Sequence, residues 1–102
     1  MDSQWIDIPE EQIADFCRRH HIRKLALFGS VLRDDFRPNS DIDVLVEFEP
    51  GKKPGFIGLG FMEEELSELL GNYPIDLVTI KFLNPRIRER VLASSRVLYE
   101  EG

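Results

Sequence analysis

At 102 residues the chain has room for one domain and one modest core, and its apolar content of 42% is that of a globular protein. A formal net charge of -6 weighs against an unaided grip on long nucleic acid, which needs clustered Lys and Arg. It leaves open a small nucleotide whose charge is met by metal. The single cysteine, Cys17, excludes an internal disulfide and a cysteine-based zinc site.

Met1 to Trp5 lacks the basic and apolar regions of a signal peptide, and the apolar stretches are strand-length, too short to span a membrane. The expected setting is the cytoplasm. Asp7-Ile8-Pro9-Glu10-Glu11 predicts a helix start, with an early proline and acids in the first turn. Ile13, Phe16 and Cys17 form its apolar stripe, Cys17 as core filling. Arg18, Arg19, His20 and His21 follow as a solvated helix end. Lys24 to Phe28 is a short buried strand, and Gly29-Ser30 turns the chain. A helical turn over Val31-Leu32-Arg33 and a loop over 34–40 lead to a second strand, Asp41 to Phe48. Its alternation puts Ile42, Val44, Val46 and Phe48 on one face and Asp41, Asp43, Leu45 and Glu47 on the other.

A breaker-rich loop over 49–55 precedes a helix whose apolar stripe is Phe56, Leu59, Met62, Leu66, Leu69 and Leu70, stopped by Gly71. Its Glu63-Glu64-Glu65 run reads as an exposed face. Ile75 to Ile80 is a third strand, Asn84-Pro85 opens a helix to about Ala93, and Arg96 to Tyr99 forms a last short strand. Arg86, Arg88 and Arg90 read as a solvated helix face. The predicted architecture is one small α/β (α+β) domain over residues 1–102, three to four strands with helices packed against them.

Two carboxylates open the second strand. On one strand face, Asp41 and Asp43 have Cα atoms roughly 6.5 Å apart. Like charges about 5 Å apart repel by roughly 3 kcal/mol at an effective dielectric near 20. A divalent cation turns that cost into a binding site, and Mg²⁺, which shares its shell between carboxylates, water and substrate phosphates, suits it. Asp76 lies in an otherwise apolar strand, where a charge needs a partner. Beside the second strand it would complete a set able to hold one or two Mg²⁺ ions, with Asp76 also drawing the proton from an attacking hydroxyl. Gly29 lets backbone approach a phosphate, and the Ser30 hydroxyl can bond its oxygens. Arg33 or Arg37 can reach the phosphate chain. A calcium loop is excluded because Val44, Leu45 and Val46 follow Asp43 where further oxygen ligands are needed.

Gly29-Ser30, Asp41-Ile42-Asp43 and Asp76 together resemble the signature of the DNA polymerase β nucleotidyltransferase superfamily. Within it the chain is similar to the minimal nucleotidyltransferases encoded beside HEPN-domain partners. The resemblance runs from about Ile8 onward, through Arg37 to Phe48, Pro74 to Thr79 and the helix from Pro85 to Val91. It implies metal binding by Asp41, Asp43 and Asp76, and ATP triphosphate handling by Gly29, Ser30 and Arg33. It also implies a hetero-oligomer with a HEPN RNase toxin, neutralised by AMP transfer to a tyrosine hydroxyl or by binding alone. Where the family often has a small residue, Arg and Gly, this chain has Leu32-Arg33-Asp34: Arg33 fits, Leu32 is larger, and Asp34 replaces the glycine. A weaker reading is transfer to free RNA or a small molecule, opposed by the acidic charge and short length.

Overall fold

The computed structural model describes residues 8–29 and 41–101. Helix α1 spans Glu10–Arg19, strand β1 Ile22–Phe28, β2 Ile42–Phe48, helix α2 Phe56–Leu69, strand β3 Ile75–Thr79, helix α3 Pro85–Ser94 and strand β4 Arg96–Glu100. The strands form one mixed sheet in the order β3-β2-β1-β4. β1 pairs antiparallel with β2 and with β4, whereas β2 and β3 run parallel. The predicted turn over 31–33 and loop over 34–40 fall outside the described residues.

Boundaries moved where tertiary pairing adds to local preference. β1 begins at Ile22, two residues before the predicted Lys24, because Ile22 pairs with Phe48 across a bulge. β3 stops at Thr79, and Ile80 opens a short 3-10 turn to Phe82. Asp41 lies just before β2 rather than within it.

Each helix start has a local cause. In α1, Glu10 and Glu11 meet the positive end of the helix, Arg18 and Arg19 the negative end, and Pro9 takes the capping position with its carbonyl accepting from Ile13 N at 2.9 Å. In α3, Pro85 takes the first turn and the Asn84 side chain accepts from Arg86 N at 2.9 Å.

The main core joins Ile13, Phe16 and Cys17 of α1 and Met62, Leu66 and Leu70 of the α2 region to Ile22, Leu25, Leu27, Ile42, Val44 and Val46 of the sheet. Ala26 and Leu45 alternate onto the reverse face and are also buried, so that face is covered in part as well. This explains why β2 reads as nearly continuous apolar sequence after Asp43.

Burial pushes the Cys17 thiol up to about 12, against a smaller opposing effect of the Arg18 charge. The folded protein therefore holds a proton that the unfolded chain releases near pH 9. Stability from this group is complete below that pH and falls as pH rises toward 12. A disulfide reagent at pH 8 is expected to leave the native thiol unmodified and to label it fully in denaturant. Rapid stoichiometric labelling of the native chain would contradict that placement.

Two predicted solvated features have structural work. Glu65 of α2 accepts from the Arg19 guanidinium and lies 3.0 Å from His20 Nε2, tying α2 to the end of α1. The Arg19 hydrogen bond holds Glu65 below the usual carboxylate range. His20 also packs against the Phe16 ring, with centroids 4.7 Å apart. Glu63 accepts from the backbone N–H of Leu77 at 3.0 Å, which covers part of the outer edge of β3. Of the run 63–65, only Glu64 is exposed as predicted. Glu63→Ala is expected to cost about 1–2 kcal/mol, because it strips a charged acceptor from a half-buried N–H. Urea unfolding measures this, and an unchanged midpoint would show that water replaces the carboxylate at no cost.

Candidate functional site

Asp43 and Asp76 are register partners, each the second residue of its strand, on the parallel pair β2 and β3. Parallel strands in register send partner side chains to the same face, with backbones about 4.8 Å apart. Both carboxylates therefore stand on the face opposite Ile42 and Val44. The strand starts are tied by Ile42 N donating to Pro74 O at 2.8 Å. Asp43 is half-buried, while Asp41 and Asp76 are exposed.

The end of β1 meets them from the other side. Phe28 pairs with Asp43, and Gly29 follows with φ +79°. A Cβ on Gly29 would overlap Oδ2 of Asp43 outright and lie 3.2 Å from its Cγ. Glycine is required here twice, by the left-handed backbone and by the carboxylate pressed against it. That close approach is the structural content of the Gly29…Asp43 spacing in the sequence.

The sheet thus brings together Gly29, Asp43 and Asp76, with Asp41 one position before β2. Ser30 and Arg33, and Arg37 as its alternative, lie outside the described residues. Among the described residues no group of three or more His, Cys, Asp or Glu side chains is gathered closely enough to hold a metal ion. Two adjacent carboxylates nevertheless fit Mg²⁺, which is commonly held by one or two carboxylates, with water and substrate phosphates completing its shell. The space that a Gly29 Cβ would take is filled by the Asp43 carboxylate, so the glycine lets the end of β1 close against the acidic pair.

Some features were not singled out from the sequence as parts of the site's surroundings. Glu63 carries no chemistry-bearing motif, yet it braces Leu77, the residue after Asp76. Arg88 sits half-buried with its Nη2 donating to Leu83 O at 3.2 Å, and its buried Nε has no hydrogen-bond partner among the described residues. Its predicted place on a wholly solvated face does not hold. Phe56, predicted for the buried stripe of α2, is 92% exposed, because the helix buries its Met62 and Leu66 side instead. Alternate phasing among Phe56, Ile57 and Phe61 was the available signal.

The small mixed α/β domain thus carries an acidic pair at one end of its parallel strands. The chain belongs to the nucleotidyltransferase domain family, whose model matches residues 10–98. It is 32% identical over 83 residues to MJ0435 of Methanocaldococcus jannaschii, a relative named for protein adenylyltransferase activity, covering 81% of this chain and 86% of that one. It is 36% identical over 74 residues to the protein adenylyltransferase MntA of Thermococcus cleftensis, covering 72% of each chain. A solved minimal nucleotidyltransferase superposes with a TM-score of 0.68 at 36% identity, covering 84% of this chain and 85% of that one. An MNT antitoxin in complex with a tri-AMPylated Shewanella oneidensis HEPN toxin shares the fold at a TM-score of 0.61 and 20% identity, covering 89% of this chain and 69% of that one. The predicted fold class and family agree with these findings. No helix among the described residues is long and apolar enough to cross a membrane.

Proposed function

We propose that this chain is a cytoplasmic, Mg²⁺-dependent protein adenylyltransferase that moves AMP from ATP to a tyrosine hydroxyl of a HEPN toxin, and so acts as its antitoxin. The reading rests on the in-register Asp43 and Asp76 beside Gly29. The adenylyltransferase relatives and the AMPylated HEPN complex support AMP as the group moved and a HEPN protein as its recipient.

Asp41, Asp43 and Asp76 would hold Mg²⁺, which when bound supplies charge stabilisation to the transferring phosphoryl group. Gly29 lets the end of β1 close on Asp43, and Gly29, Ser30 and Arg33 are assigned to the phosphate oxygens. The acceptor oxygen forms a bond to the α-phosphorus as the bond to pyrophosphate breaks, and the hydroxyl proton passes to the Asp76 carboxylate. Exposure of Asp76 suits this role, because the acceptor arrives from solvent on another protein.

The direct test is incubation with ATP labelled in its α-phosphate, Mg²⁺ and the HEPN protein encoded with this chain. AMP-labelled HEPN protein is expected, and EDTA should abolish labelling. Absence of label under conditions where the two proteins form a complex would remove the transfer chemistry. A second reading, neutralisation by contact alone, draws on the exposed Phe56, Ile57 and Phe61. It requires that an Asp41→Asn/Asp43→Asn chain still protect cells from the toxin.

A further inference from the structure

A cavity of about 250 Å³ opens at the carboxyl ends of the parallel strands β2 and β3. Val46 and Phe48 of β2 and Thr79 of β3 line it, with Ile80 just beyond. Thr79 is the register partner of Val46, so both stand on the helix-covered face of the sheet. The acidic pair lies elsewhere. Asp76 precedes Thr79 by three residues, about 10 Å along the strand, and points to the reverse face. Open α/β sheets commonly bind ligands in the crevice outside the carboxyl ends of their strands.

The lining combines an apolar wall, a basic rim and an unmet polar group. Val46 is fully buried, and Phe48 and Ile80 are half-buried. Arg23, Lys53 and Lys81 reach the cavity from three separate segments: the bulge in β1, the loop after β2 and the 3-10 turn after β3. Arg23 and Lys81 are exposed and form no ion pair among the described residues. Of the two carboxylates in the lining, Glu49 lies 3.8 Å from His21 Nδ1. Glu47 alternates with Val46 and Phe48, so its side chain leaves on the other face of the strand. Thr79 is only 8% exposed, and its hydroxyl has no hydrogen-bond partner among the described residues. A buried hydroxyl left unpaired is costly, and it is accounted for by a molecule that completes its bonding.

From these features we infer that the cavity is a binding site for a small amphipathic anion, an apolar ring or chain that carries one phosphate or carboxylate. The body packs on Val46, Phe48 and Ile80, the anionic group meets Arg23 and Lys81, and the Thr79 hydroxyl bonds a polar atom of the molecule. Volume limits the occupant. The cavity equals the liquid share of roughly eight waters and falls below the range that takes drug-sized ligands, so a nucleoside triphosphate is too large for it. Charge selects the sign. The chain as a whole, at -6, repels anions, so an anion is held here by the local contacts rather than by the field of the whole protein. The site is separate from the proposed AMP transfer and does not depend on it.

Titration of the isotope-labelled full chain with phenyl phosphate, followed by amide NMR, tests the site. Inorganic phosphate and benzyl alcohol serve as the two halves of the probe. Phenyl phosphate is expected to give saturable shifts at the amides of Val46 to Gly51 and of Thr79 to Lys81, with a dissociation constant below about 1 mM. Each half should bind at least about tenfold more weakly, because it offers only the charge or only the apolar body. Arg23→Gln/Lys81→Gln is expected to weaken phenyl phosphate about tenfold. Thr79→Val is expected to weaken it at least about threefold and to raise the melting temperature of the free chain by about 4–8 °C, because the unmet hydroxyl is gone. Melting temperatures also check folding, and should one variant fail to fold, the other decides. Absence of saturable shifts overturns the site, as do shifts centred on Phe56, Ile57 and Phe61. Parental affinity in a folded variant overturns it too. Equal affinity for either half of the probe would likewise overturn the assignment to an amphipathic anion.

Discussion

Replacing Asp76 by Asn is expected to lower AMP transfer by about 10²–10³-fold without lowering the melting temperature. The two effects have separate causes. Asp76 is exposed and stands in register with Asp43 on the adjacent strand, so folding places two like charges side by side. Such pairs are mildly destabilising, and a neutral isostere relieves the repulsion. The proposed chemistry needs the charge: it would help hold the cation and accept the proton of the attacking hydroxyl. Losing roughly 3–4 kcal/mol of transition-state stabilisation accounts for the fall in rate. Single-turnover transfer at saturating ATP, paired with thermal unfolding, measures both. Parental transfer by Asp76→Asn would dismiss the carboxylate from the reaction, whatever the stability did.

Gly29→Ala is expected to damage stability and activity together. An L-residue at φ +79° costs about 1–2 kcal/mol, and the new methyl group must also displace the Asp43 carboxylate. A total of about 2–3 kcal/mol corresponds to a fall in melting temperature of roughly 8–20 °C for a domain of this size. Transfer should fall by about 10²-fold in the molecules that remain folded, because an ångström of misplacement at a reacting group has that order of effect. The double variant Gly29→Ala/Asp43→Ala removes the overlap and leaves the backbone strain. It is expected to recover part of the lost melting temperature. Equal melting temperatures for Gly29→Ala and the parent would mean that the turn and the carboxylate do not press on one another.

Much of the domain was legible because its local signals agree with one another. The Ile13, Phe16 and Cys17 stripe is the buried side of α1, and Asn84-Pro85 opens α3. The apolar runs around Ala26, Val44 and Leu77 are strands. The α2 region was read less well. Its glycines and its two apolar sides leave the phase of the helix undetermined by periodicity, so Phe56 was assigned to the core that Met62 and Leu66 occupy. The Glu63-Glu64-Glu65 run reads as solvated because nothing local reveals a sheet edge on one side of it and the end of α1 on the other. Those are contacts between residues 14 and 45–46 positions apart.

The sequence by itself determined the elements, the residue types of the site and their places within each element: carboxylates near two strand starts and a glycine at a strand end. Only the tertiary structure decided that β3 lies parallel to β2 with Asp76 opposite Asp43, that Gly29 closes against the Asp43 carboxylate, and that Phe56, Ile57 and Phe61 of α2 are exposed. Periodicity is set by backbone geometry within one segment, so it can be read along the chain. Register and strand order are set by which apolar faces find each other, and that balance is struck between segments remote in sequence.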